Sequence, residues 1–395
     1  MLFAGTFINR VGTFVWPFLT IYLTRQGHSL TAAACAVGAF GVGSASGSLL
    51  GGWLADHLGR RHTIVLGSAA AAVAVMLLYA AGSLPAVIVA TLFMGAASGT
   101  YHPAASALLA DVVPPALRVR AYAAFRLAAN AGFACGAALG GVLANYSYFW
   151  LFAGDALTTL LYAAVALVAL PHGLRGQTRQ APWSAALRQV RQDRAFHALF
   201  AAVFLSSLIF MQFGTTYSLH VISAGLTLDL FGWSLRPEAI YGLLIGWNGV
   251  MVALCELPLS GWTQRFHPGR TMAVGYVLLG GGFALNGFAH SLPLLFAAMT
   301  IFTLGEIISV PVSNAYVARL APEPMRGRYL GTLALAWNSS AIFGPYLGSR
   351  LMKISPSCLW TACAILGLLS ALVILRASPA AEIPIANGAA PLPIP

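Results

Sequence analysis

Twelve long apolar runs follow one another along this chain, and almost all of its charge is confined to the short gaps between them. The runs fall near 2–23, 32–56, 63–82, 85–110, 119–143 and 148–170. After one basic interruption come 195–222, 237–263, 271–289, 293–318, 327–350 and 357–377. A hydrocarbon core about 30 Å thick is crossed by roughly 20 helical residues. Within that core each backbone N–H and C=O must be satisfied internally, and runs this long and apolar achieve it as α-helices. The pattern predicts an all-α membrane protein of twelve transmembrane helices. Composition closes off the soluble alternative, since 59% of residues are hydrophobic and 8% charged, against about a quarter charged in a soluble domain. The 41 glycines fit the same reading, because small residues let helices approach closely in lipid.

The net charge of +11 does not point to nucleic acid, because no basic helix or aromatic-basic patch carries it. The basic residues instead cluster in loops. Fifteen arginines follow even-numbered spans or sit in the central loop, among them Arg60, Arg61, Arg118, Arg120, Arg188, Arg326 and Arg328; only Arg25, Arg236, Arg350 and Lys353 lie on the other side. This asymmetry predicts cytoplasmic termini and a cytoplasmic central loop, with the inner (plasma) membrane of a bacterium as the expected location. Residues 171–194 are expected to form a linker with a short amphipathic helix starting at Pro182, and 378–395 a disordered tail rich in Pro and Ala. Met1 leads directly into apolar sequence without a basic leader, and the first span starts so close to it that an upstream extension is expected. The five cysteines sit in apolar segments without metal-ligand spacing and read as small core residues.

The two halves repeat. Asn130 to Gly136 in the fifth span lines up with Asn338 to Gly344 in the eleventh, an offset of 208 (338 − 130). The same offset pairs Pro103 with Pro311, Arg118 with Arg326, Arg120 with Arg328 and Gly140 with Gly348. A set of matches at one offset indicates duplication, predicting six-helix bundles over 1–170 and 195–377. Parallel repeats of this kind are a transporter architecture, with the solute site near the midplane between them.

Gly52-Trp-Leu-Ala-Asp56-His-Leu-Gly59-Arg60-Arg61 resembles the signature between helices two and three of the major facilitator superfamily, G-x-L-A-D-x-x-G-R-R/K. The resemblance covers essentially the whole chain and implies two pseudo-symmetric six-helix bundles. It also implies a gating role for Gly52, Asp56, Gly59, Arg60 and Arg61, which latch the halves in the family's outward-open state. In the fifth span Gly132, Gly136, Gly140 and Gly141 resemble the motif of the family's proton-coupled multidrug exporters, with Ala137 where proline is usual. The second-half copy keeps the proline, as Gly344-Pro345-x-x-Gly348. Generic close packing reads these glycines equally well. In the fourth span Thr91 stands where exporters often carry arginine, four residues before Gly95. The first span, with Arg10, is also similar to the oligopeptide branch, but Thr6 and Asn9 replace its two glutamates.

Ionisable residues inside spans cost about 2.5–3.5 kcal/mol or more at the bilayer centre, so each is a functional candidate. Here they are Arg10, Arg126, Asp155, Glu256 and Glu306. The resemblance implies that helices one, four, seven and ten line the central cavity. Glu306, mid-span in the tenth with Ser309 and Ser313 at helical spacing, is therefore the leading proton carrier, and Glu256 the second. Arg10 and Arg126 are the cationic partners, or the holders of an anionic part of the solute, and Asn130 lies one turn beyond Arg126. Asp155 reads as structural, paired with Arg126. His102 reads as a neutral histidine between Ser98 and Ser106, with proton transfer as its other reading.

No phosphate-binding G-x-x-x-x-G-K-[ST] loop occurs, and the single lysine is Lys353, so this chain does not itself couple transport to ATP. No metal cluster or nucleophile elbow points to an enzyme. The sequence thus predicts a monomeric secondary transporter without cofactor, driven by the proton gradient and exchanging protons for a small lipophilic or amphipathic solute. Two other readings stay open: proton-driven import of a peptide or sugar, and a non-transporting receptor or scaffold on the same fold.

Overall fold

The computed structural model describes residues 1–114, 118–171, 189, 191–230, 233–263, 265–321 and 326–377. Most of the expected linker helix and the whole C-terminal tail lie outside the described residues, as do the side chains of Asp56, Arg118, Arg120, Arg326 and Arg328.

The first apolar run is two helices, α1 (Leu2–Val11) and α2 (Val15–Arg25). Pro17 explains the break: its ring collides with the carbonyl four residues earlier and it has no N–H to donate, but both defects are harmless in the first turn of a new helix. Five long helices follow: α3 (Leu30–His57), α4 (Arg60–Ala80), α5 (Leu84–Val112), α6 (Arg118–Tyr146) and α7 (Tyr148–Ala169). The seventh run is also broken, into α8 (Arg194–Phe210) and α9 (Thr216–Ser223). A short antiparallel pair, β1 (Leu228–Leu230) with β2 (Trp233–Leu235), comes next and has no counterpart in the apolar pattern. Then come α10 (Pro237–Thr263), α11 (Pro268–Ala284, prolonged by a 3-10 turn at Leu285–Phe288), α12 (Leu292–Leu320), α13 (Arg326–Ile354) and α14 (Pro356–Ala377).

Among the described residues nine helices are long and apolar enough to cross a membrane. The runs expected at the other three positions form helices that do not meet that measure: the two broken runs and the more polar α13. The repeat extends to element boundaries. Leu84–Val112 maps onto Leu292–Leu320, Arg118–Tyr146 onto Arg326–Ile354, and Tyr148–Ala169 onto Pro356–Ala377, each end displaced by 208 (292 − 84).

Two compact units result. One comprises 1–178, 211–250 and 341–354; the other comprises 179–210, 251–340 and 355–395. The first unit therefore includes α9, the start of α10 and the end of α13 from the second half of the sequence. Its core gathers Ile64, Tyr101, Leu108, Tyr162 and Leu170. In the second unit Phe196, Met272, Tyr276, Tyr316, Tyr329 and Ile374 pack together. Within the first unit, α3 and α5 approach backbone to backbone. Side chains added at Gly43, Gly47 or Gly51 would collide with the α5 main chain, and at Gly95 or Gly99 with the main chain of α3. Gly95 is thus spent on packing, and Thr91 beside it is buried with its hydroxyl donating to the Val87 carbonyl at 2.6 Å.

Candidate functional site

The loop between α3 and α4 turns on Gly59, whose φ of +93° suits glycine and few other residues. It delivers Arg60 and Arg61 into the first turn of α4. Arg60 Nε lies 3.4 Å from the Asp111 carboxylate at the end of α5, both side chains largely buried. Arg61 donates to the Leu167 carbonyl near the end of α7. The two arginines thereby tie three helix ends together. Asp111 was not singled out from sequence, although an acid at the loop end of a span, facing an arginine-rich turn, was the available signal. A Cβ on Gly52 would meet nothing within 4 Å.

Deeper in the first unit, the break in the first run is held by Asp155. One carboxylate oxygen accepts from the backbone N–H of Phe14 at 3.1 Å and of Val15 at 3.0 Å. Those are amides that a new helix leaves unpaired. Asp155 is 8% exposed, so a buried acid caps a buried helix start, and its carboxylate goes to the backbone rather than to the expected Arg126 guanidinium. One turn along α7, Thr159 accepts from Asn9 Nδ2 at 3.5 Å, and Asn9 Oδ1 accepts from the Tyr101 hydroxyl at 3.1 Å. Arg10 lies 3.4 and 3.3 Å from the two ring nitrogens of His102. The structure therefore brings Arg10, His102 and Asp155 into one polar layer with Asn9, Tyr101 and Thr159. The sequence reading named the three ionisable members and missed the neutral ones joining them. Arg126 is exposed and Asn130 half-buried on α6.

The glycines of α6 face other helices. A Cβ on Gly132 would come within 2.6 Å of the Phe7 carbonyl, and one on Gly136 would strike Val11. Gly140 lies against the Phe18 and Phe14 rings, and Gly141 against Gly242 and the Glu238 carbonyl of α10. On α13, Pro345 is accommodated within the helix, the Gly344 carbonyl accepts from Gln212 Nε2 at 3.1 Å, and Gly348 lies under the same side chain. Gln212 also accepts from Thr216 at 2.9 Å, so it organises the second break as Asp155 organises the first. Nearby, the Tyr241 hydroxyl is within 3.0 Å of the Pro17 and Phe213 carbonyls, and Arg25 pairs with Glu238.

Glu256 and Glu306 belong to the second unit and both are half-buried. Glu306 sits mid-way along α12, one turn from Ser309 and two from Ser313, which line a cavity of about 320 Å³. Phe210 and Trp337 form one wall, their ring centres 4.9 Å apart. Ser206 and Tyr276 contribute from α8 and α11. None of the described lining residues is charged. Of the cysteines expected in the core, Cys363 is buried, Cys255 and Cys358 are half-buried, and Cys35 and Cys135 are exposed.

Duplicated apolar helices with two broken members, a buried polar layer and a cavity among the helices are the features of a polytopic membrane protein. A family model described as the Major Facilitator Superfamily matches residues 2–236 and 231–394. The chain belongs to the major facilitator superfamily. It is 31% identical over 364 residues to an uncharacterized MFS-type transporter, YttB, of Bacillus subtilis (strain 168), covering 89% of this chain and 87% of that one. It is 28% identical to a Na(+), Li(+), K(+)/H(+) antiporter of Planococcus maritimus, covering 86% and 85%. It is 26% identical to the multidrug resistance protein MdtH of Aeromonas salmonicida (strain A449), covering 80% and 78%. Among solved structures, a POT family transporter in complex with 5-aminolevulinic acid superposes with a TM-score of 0.77 at 17% identity, covering 96% of this chain and 95% of that one. At that identity the likeness concerns the fold.

Proposed function

We propose that this transporter exports small lipophilic or amphipathic molecules in exchange for protons, by alternating access, with the proton gradient as its energy source. The observation that carries the reading is the placement of Glu306, a mid-helix carboxylic acid one turn from Ser309 in the lining of a cavity that has no charged residue among the described ones. An ionisable residue within an apolar span is costly and marks a functional candidate. When protonated it is neutral and compatible with a lipophilic solute nearby; when ionised it favours a cation or water instead. Solute and proton thereby compete for one region, which is the requirement for exchange.

Antiport and multidrug relatives support this direction. Peptide import is less well supported, because Asn9 spends its side chain on Tyr101 and Thr159 at a position where that branch carries an acid. Glu256, Arg126, Asn130, Arg10 and His102 are assigned auxiliary roles in coupling or solute contact, whereas Asp155 is assigned to holding the helix break. Gly52, Asp56, Gly59, Arg60 and Arg61 are assigned to gating at the loop end of the bundle. The protein is taken to act as a monomer with both termini in the cytoplasm.

The test is Glu306→Gln in reconstituted vesicles. The variant should still bind solute and exchange it down its own gradient, while an imposed pH gradient no longer drives accumulation. Wild-type accumulation by the variant would remove Glu306 from the mechanism.

A further inference from the structure

A second cavity, of about 350 Å³, lies in the first unit at the end of its helices away from Arg60 and Arg61. Its walls come from helix termini. Arg25 closes α2, Asn145 and Tyr146 close α6, Tyr148 opens α7, and Arg236, Pro237 and Glu238 lead into α10. The depth of the cavity follows from α7, which begins at Tyr148 and meets Arg61 through Leu167 near its other end. Its 22 residues extend about 33 Å, close to the thickness of a bilayer's hydrocarbon core. The cavity therefore sits where the hydrocarbon ends. Tyr146 in its wall and Trp150 just beyond it are 62% and 60% exposed, and such side chains settle at the level of lipid headgroups.

The polar groups of this cavity are not all matched. Arg25 pairs with Glu238, whose side chain is 8% exposed. Arg236 is exposed and has no carboxylate partner among the described residues. Two arginines against one glutamate leave the described lining with a net charge of +1. The Tyr148 hydroxyl and the Asn145 side-chain oxygen are shut off from solvent, and neither has a hydrogen-bond partner among the described residues. Buried polar atoms left unpaired are costly and uncommon. A phenol O–H can donate to an anion, whereas an amide oxygen only accepts. A ligand that satisfies both brings a negative acceptor and a donor of its own.

We infer that this cavity holds the headgroup of an anionic phospholipid, with its phosphodiester between Arg236 and the Tyr148 hydroxyl and a headgroup hydroxyl donating to Asn145. One phosphodiester carries one negative charge and so matches the lining. A zwitterionic headgroup would add a cation that two arginines repel, which favours phosphoglycerol over phosphocholine. The volume of about 350 Å³ equals that of roughly twelve waters in the liquid, room enough for phosphoglycerol. This ligand is a component of the bilayer and not the transported solute, so the inference stands apart from the export reading.

The experiment is native mass spectrometry of the purified full chain in detergent, titrated with dioctanoylphosphatidylglycerol, dioctanoylphosphatidylcholine and glycerophosphoglycerol, the last being the phosphodiester without acyl chains. The anionic lipid should bind at least fivefold more tightly than the zwitterionic one, and glycerophosphoglycerol at least tenfold more weakly than the anionic lipid. Arg236→Gln and Tyr148→Phe each remove a group without a described partner. Both should keep the wild-type Tm and weaken the anionic lipid about three- to tenfold. Arg270→Gln, at an exposed arginine in the first turn of α11, should leave that affinity unchanged. Equal affinity for the two lipids, wild-type affinity in either cavity variant, or an equal loss in Arg270→Gln would each overturn the site. Glycerophosphoglycerol binding as tightly as the anionic lipid would overturn the membrane source and leave a free phosphodiester as the ligand.

Discussion

A buried acid in a membrane protein invites a proton-carrying role, and Asp155 shows why the partner has to be known first. Its oxygen accepts two amides at the start of α2, work that any acceptor of the same shape can do. Asp155→Asn is therefore expected to keep most of the stability and all of the proton coupling. Asp155→Ala should lower unfolding free energy by about 1–3 kcal/mol, because two buried N–H groups lose their acceptor. Thermal unfolding in detergent, with flux measured in parallel, checks both. Glu306 is the contrasting case, where the neutral amide should preserve folding and remove coupling. From sequence the two acids look alike, each a carboxylate in an apolar run. What separates them is long-range: Asp155 meets amides about 140 residues away in the chain, which spacing along one helix cannot reveal.

At the scale of elements, interruptions and bare faces matter more than the helices themselves. Pro17 announces the break in the first run, since its ring excludes the helical carbonyl at residue 13. Reading the run as continuous gave hydropathy precedence over that local rule. The second break, at 211–215, contains no proline and rests on Gln212 bonding to α13, so its one local signal was Gly214. Glycine faces were legible in α6, but what they face was not. Gly136→Leu is expected to prevent α6 from seating on α1, costing at least about 1–3 kcal/mol as overpacking. Gly52→Ala should be nearly neutral for stability, because a Cβ there meets nothing. Expression level and Tm of the two variants test the contrast. If Gly136→Leu folded as well as Gly52→Ala, the close approach of α6 to α1 would be wrong.

For the whole molecule, duplication was the most informative signal. The 208-residue offset read from Asn130 and Asn338 reappears in the ends of α5, α6 and α7 against α12, α13 and α14, and the family match extends across both halves. Fold was legible because hydropathy and repeats are written residue by residue. The polar layer around Asn9, Tyr101 and Thr159 and the serine-lined cavity were not, because neutral polar residues become distinctive only when their neighbours are known. The account's central claim is that solute moves against protons. It is tested most directly by solute flux in proteoliposomes given an acidic lumen and no initial solute gradient. Protons then run outward, and the account predicts that a small lipophilic solute accumulates inside, with Glu306→Gln showing no accumulation. Solute leaving the lumen together with the protons would contradict it.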